Sequence, residues 1–147
     1  LPANLLVTVG PGLEPAELGS QPPHVRVERY VPQAEVLPHC DLVVSHAGSG
    51  SLLGALAHGL PSVLIPIGAD QPLNAERGAA LGVAEVLDAP TLTPQSVRDA
   101  AARVLGDRAF ARNAARLRDE IAALPGPAHA VGLLERLAGE RRPLGAR

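Results

Sequence analysis

The sequence predicts an α/β protein built on a doubly wound parallel sheet with a helical C-terminal segment. Three observations lead there. Short apolar runs at residues 5–9, 25–28, 42–44, 62–65 and 83–87 alternate with stretches of helical composition instead of following one another through hairpin turns. Several of these runs end on breakers, Gly10-Pro11-Gly12 after the first and Pro66 and Gly68 after the fourth, as buried strands do. Beyond residue 87 the pattern is wholly helical. A sheet of this kind binds its ligands beyond the C-terminal ends of its strands, so the segments that follow the apolar runs are where function is expected.

In chain order, residues 14–18 suit one helical turn and Gln21-Pro22-Pro23 leads into the alternating strand 25–28. Pro32 lacks an N–H and holds Val31 extended, which leaves the backbone groups of Val31 free for an outside partner. Residues 33–39 read as a short helix. The stretch 41–59 carries the densest chemistry: an apolar strand at 42–44, a small flexible turn at 48–51 and a helix over 52–57. The first N–H groups of a helix have no partner of their own, and with the positive end of its macrodipole they attract an anion. Gly48 and Gly50 allow close approach, Ser49 and Ser51 offer hydroxyls, and His46 at the strand end can add an imidazole N–H. These residues read as a diphosphate cradle.

Asp70-Gln71-Pro72 opens a helix through residue 80, with proline at home in its first turn. Thr93-Pro94 is an N-cap followed by Val97, Ala101, Val104 and Leu105 at helical spacing, stopped by Gly106. Residues 107–124 place Phe110, Ala114, Leu117 and Ile121 on one face and arginines on the other, Pro125-Gly126-Pro127 breaks the helix, and residues 128–137 form the last one before a polar tail at 141–147. No internal repeat or linker divides the chain, and residues 1–147 are read as one domain.

Composition narrows the function. A net charge of −2 with one tyrosine and one phenylalanine argues against nucleic-acid binding. The lone Cys40 cannot form an internal disulfide or a cysteine metal motif and reads as a buried thiol in a reducing, cytoplasmic setting. No apolar run reaches the ~18 residues of a membrane span. The absence of lysine excludes the phosphate-binding loop of nucleoside triphosphatases, and neither Ser49 nor Ser51 has the flanking glycines of a nucleophile elbow. A dinucleotide fingerprint is closer: Gly48-x-Gly50-x-x-x-Gly54, with Asp70 at the right distance, keeps a nicotinamide-binding oxidoreductase fragment and a noncatalytic nucleotide-binding module as alternatives. No acidic cluster suggests a metal, and no cofactor is expected. His39 and His58 read as structural, Asp70 as a helix cap or a ligand, and the arginine face at 103–118 as solvated. Because the first residue is Leu1, the chain is expected to be a fragment or processed product.

Four linked motifs carry a family resemblance. Tyr30-Val31-Pro32-Gln33, His46-Ala47-Gly48-Ser49-Gly50-Ser51, Gly59-Leu60-Pro61 and Asp70-Gln71-x-x-Asn74-Ala75 resemble, in order and spacing, the donor-binding signature of family-one nucleotide-sugar glycosyltransferases, most closely those of bacteria that decorate macrolides and polyketides. The resemblance implies a Rossmann-like domain that is one half of a GT-B architecture, with the N-terminal acceptor-binding domain absent. It implies that Tyr30 stacks on the base, Val31 bonds it through its backbone, Gln33 touches the nucleoside sugar, and His46 with Gly48, Ser49, Gly50 and Ser51 holds the diphosphate. Asp70 and Gln71 would bond hydroxyls of the donor sugar, and Gly10 and Gly12 would line the cleft. Many relatives carry a glutamate where Gly54 stands, and its loss points to a thymidine rather than a uridine diphosphate donor. The family's general base lies in the acceptor domain, so no catalytic residue is assigned here. The implied partners are a nucleoside diphosphate sugar and, through the missing domain, a small-molecule acceptor, with a homo-oligomer left open.

Overall fold

The structure is a computed structural model that describes residues 2–141, so the tail from residue 142 on lies outside the described residues. Five strands occur where the apolar runs stand: β1 (Leu5–Thr8), β2 (Val25–Glu28), β3 (Val43–Ser45), β4 (Ser62–Leu64) and β5 (Ala84–Val86). Six α-helices accompany them: α1 (Gln33–Val36), α2 (Ser49–Ala57), α3 (Gln71–Ala80), α4 (Pro94–Gly106), α5 (Arg108–Ala122) and α6 (Pro127–Glu140). Of the boundaries that differ from the expected ones, two do so for clear local reasons. The short helix expected over 33–39 ends as a 3₁₀ turn at Leu37–His39, because Pro38 has no N–H to continue the α-helical ladder. The helix expected from residue 52 begins at Ser49, where Gly48 serves as N-cap and its carbonyl accepts from the Leu52 N–H.

Every strand pairing is parallel, as the alternation of strands and helices requires. The strands fall into two sheets, β1-β2 and β3-β4-β5, rather than one continuous sheet. β4 is the centre of the larger sheet and its side chains alternate between two layers. Val63 packs with Ala100 and Val104 of α4 on one face. Leu64 packs on the other with Leu52 and Leu56 of α2, Ala75 of α3 and Ala114 of α5. Both Val63 and Leu64 are fully buried, and each such side chain contributes about 1.5–3 kcal/mol. The predicted apolar face of α5 is the one used: Ala114 is buried, and Phe110, Leu117 and Ile121 lean on the core. Gly78 of α3 lies against Leu64, whose Cδ1 would stand 3.1 Å from a β-carbon there, and this brings α3 down onto β4.

Around this core the surface is solvated. The arginine face is exposed as expected, with Arg116 and Arg118 paired to Glu120 and Asp119, and Arg103 of α4 holds Glu85 of β5 through its forked guanidinium. α6 buries none of its residues. Among the described residues, no helix is long and apolar enough to cross a membrane.

Candidate functional site

The site is built where β3 gives way to α2. After Ser45 the chain turns through His46 and Ala47 before α2 begins, and Ala47 adopts φ 66° although it is not glycine. Full burial and two hydrogen bonds hold it there: its N–H donates to Ser45 Oγ at 3.3 Å and its carbonyl accepts from Asn74 Nδ2 at 3.0 Å. Gly48 then lies so close beneath the His46 imidazole that a β-carbon would stand 2.5 Å from Nε2. Glycine is required here by close approach, since any side chain would displace the imidazole.

The N-terminus of α2 carries no side-chain cap. The N–H groups of its first turn therefore face outward beside the exposed His46, Ser49 and Gly50. Such groups, with the helix dipole, are free to attract an anion.

Asp70 stands opposite. It occupies the N-cap position of α3, but its side chain makes no cap bond, so the capping alternative does not apply. Its Oδ2 instead accepts from Ser49 Oγ at 2.6 Å and from Asn74 Nδ2 at 2.9 Å. Asn74 Nδ2 also lies 3.3 Å from Ser49 Oγ, so this one amide nitrogen reaches Ala47, Ser49 and Asp70 together. The Ser49 hydroxyl, then Asn74, hold the Asp70 carboxyl below its ordinary range, with the charge of nearby His46 adding to the effect. The carboxylate remains an exposed acceptor, suited to hydroxyl groups and unsuited to a phosphate, and the Ser49 proton is directed to Asp70 rather than outward. The side-chain Oε1 of Gln71 accepts from the backbone N–H groups of Ile67 and Gly68 at 2.8 and 3.1 Å, which shapes the loop where Ala69 takes φ 55°.

The nucleoside side is less closely knit. Gln33 and Gly54 are neighbours: a β-carbon on Gly54 would lie 3.7 Å from Gln33 Oε1, so a longer side chain there would share the space of the Gln33 amide. Tyr30 is 77% exposed and packs into no core cluster, which leaves its ring face open. Tyr30 and Val31 follow β2, and Gly10, with φ 72°, and Gly12 follow β1, at the C-terminal ends of those strands. A shallow cavity of about 250 Å³ between α2 and α3, lined by Leu52, Leu53, Leu56, Arg77 and Leu81, opens beside Ser49 and Asn74. A larger hollow of about 360 Å³ at Pro2, Ala3, Asn4 and His24 lies at the opposite ends of β1 and β2. His58 bonds the Gly54 carbonyl through Nδ1 at 2.9 Å, a role within its own helix. Cys40 is partly buried and bonds the Val36 carbonyl, and burial, with the Asp41 charge, raises its thiol pKa.

Two contributors were missed from sequence. Asn74 lay within a quoted motif but had no role, and Ser45 had none either; Asn74 reaches Ala47 from a distant part of the chain, whereas Ser45 acts within its own turn. The spacing of Asp70 and Asn74, four apart at the start of a helix, is the signal that could have placed them on one face.

The parallel α/β core is that of a GT-B protein, and the solved structures it resembles are GT-B glycosyltransferases. The chain belongs to the family described as erythromycin biosynthesis protein CIII-like, C-terminal domain, which matches residues 3–137. It is 42% identical over 121 residues to 3-alpha-mycarosylerythronolide B desosaminyl transferase of Saccharopolyspora erythraea, covering 82% of this chain and 29% of that one. The crystal structure of CalG4, the calicheamicin glycosyltransferase, superposes with a TM-score of 0.88 at 33% identity over 95% of this chain and 37% of that one. Glycosyltransferase VinC, solved in complex with DTDP, gives 0.81 at 36% identity over 85% of this chain and 32% of that one. The chain thus spans about a third of the length of the relatives it matches.

Proposed function

We propose that this chain is the donor-binding part of an inverting glycosyltransferase that moves a sugar from a thymidine diphosphate carrier to a small natural-product acceptor in the cytoplasm. The observation that carries the reading is the uncapped start of α2 beneath His46, with Asp70 held opposite it. The diphosphate would sit on the N–H groups of Ser49, Gly50 and Ser51 with the His46 imidazole over it, and the sugar hydroxyls would meet Asp70 and Gln71. Tyr30, Val31 and Gln33 would take the nucleoside, with Gly10 and Gly12 along the cleft. As the anomeric bond breaks, charge gathers on the departing diphosphate, and fixed donors aimed at it stabilise the transition state more than the ground state. This mechanism asks for no metal and no cofactor.

Thymidine is favoured because Gly54 offers no carboxylate to a ribose 2′-hydroxyl, and VinC, with which the chain superposes, was solved with DTDP. Calorimetric titration with thymidine diphosphate, uridine diphosphate and reduced nicotinamide cofactor tests the reading. Thymidine diphosphate is expected to bind most tightly. His46→Ala should weaken it by about 10- to 100-fold, the loss of one bond to a charged group, without unfolding the chain. Gly54→Glu should move the preference toward uridine diphosphate. Tighter binding of the nicotinamide cofactor would replace this reading with the oxidoreductase one.

A further inference from the structure

Ser49 is the first residue of α2, so its hydroxyl is placed at the helix start with the uncapped N–H groups. It does not add its proton to theirs. Oγ donates to Asp70 Oδ2 at 2.6 Å, and a hydroxyl has a single proton to give. Nor does Asn74 release it. The Asn74 amide has two protons and three acceptors within reach: Asp70 Oδ2 at 2.9 Å, the Ala47 carbonyl at 3.0 Å and Ser49 Oγ at 3.3 Å. The two nearer acceptors hold it, and the bond from Ser49 to Asp70 keeps its direction. Asp70 brings a charge as well as an acceptor. Its carboxylate is exposed, the bonds from Ser49 and Asn74 keep it ionised, and among the described residues no arginine lies within ion-pair distance of it. A site shaped for an anion alone has no use for a carboxylate beside its first helical residue, where only positive or neutral donors help.

We propose, on the donor-binding reading, that Asp70 selects the sugar-bearing donor against its own leaving group, the bare nucleoside diphosphate. The two ligands differ at this place: the sugar ester carries hydroxyls beyond the terminal phosphate, whereas the free diphosphate carries a further ionisable oxygen there. Sugar hydroxyls donate to the Asp70 carboxylate and replace the Ser49 proton, which turns to the phosphate. A bare terminal phosphate brings no donor to Asp70. Ser49 then stays turned away, and the added charge is repelled by the carboxylate. One side chain thus strengthens binding before transfer and weakens it afterwards, which clears the site for the next donor.

Paired calorimetric titrations with thymidine diphosphate and thymidine diphosphate glucose read this selection directly. Asp70→Asn is nearly isosteric and removes the charge alone. It should tighten thymidine diphosphate by about two- to fivefold, the range of one exposed charge pair. The same variant should weaken thymidine diphosphate glucose by about tenfold, the difference between a charged and a neutral acceptor. Ser49→Ala removes the proton that turns only when a sugar is present, so it should weaken thymidine diphosphate glucose and leave thymidine diphosphate unchanged. A serine that simply bonded phosphate would lower both affinities alike. Unchanged or weaker thymidine diphosphate binding in Asp70→Asn, or equal losses for the two ligands in Ser49→Ala, would overturn the selection and leave the donor site standing. A wild-type chain that bound neither ligand would remove the donor site itself, and the selection with it.

Discussion

Asn74 does with one amide nitrogen what three residues would otherwise share, tying the buried Ala47 carbonyl, the Ser49 hydroxyl and the Asp70 carboxylate into one patch. Because Ser49 and Asn74 hold the Asp70 pKa down, the network contributes its stability above the ordinary carboxylate range and loses it as pH falls through the depressed value. Ser49→Ala, and to a lesser extent Asn74→Ala, should therefore return the Asp70 pKa toward the ordinary range, read by carboxyl-carbon NMR titration. An unmoved titration in both variants would mean that the carboxylate is not held by these partners. Gly48→Ala is the companion at the anion side. Its β-carbon would push the exposed His46 imidazole out of place, and nucleotide affinity should fall by at least as much as in His46→Ala, measured by the same calorimetry.

β4 shows what a sequence reveals at this scale and what it hides. Its run of apolar residues announces a strand buried on both faces, and the structure agrees residue by residue. Nothing in that run announces that Ser62, 1% exposed, has no partner for its hydroxyl, because the partners that fail to reach it come from elsewhere in the chain. Ser62→Ala should be neutral or stabilising by about 1 kcal/mol in chemical denaturation, since it removes a buried polar group that makes no bond. The start of α4 is the opposite case. Thr93 and Ser96 form a reciprocal capping box, each bonding the other's backbone N–H at 3.0 Å, and Thr93-Pro94 marked that start in the sequence. Thr93→Ala should cost about 1 kcal/mol, measurable by the same denaturation. α6 was legible as a helix but not as one that buries nothing, since its leucines at helical spacing signal burial without naming the surface that provides it.

As a molecule, the chain has one side of a reaction under the proposed function. Inverting transfer needs an acceptor hydroxyl in line with the departing diphosphate and a base within reach of its proton. Asp70 is fixed by Ser49 and Asn74, and in the proposed reading it meets the donor sugar, so it is not given the base role. The chain alone is therefore expected to bind a thymidine diphosphate sugar and to form no glycoside over many turnovers with a panel of aglycones, followed by mass spectrometry. Multiple turnovers would make Asp70 the first residue to replace. The parallel α/β class and the turn into α2 were legible because strand runs and a helix start are local signals. The break in the sheet was not, because a strand's neighbours are fixed by topology and composition is silent about it. The bonds around Ala47 have one more consequence. Ser45, Ala47, Ser49, Asp70 and Asn74 all lie between β3 and the first turns of α3, and the bonds among them close within that stretch. A recombination that exchanged residues 41–81 between two proteins of this family would carry this bonded patch across as one unit, with its internal bonds intact.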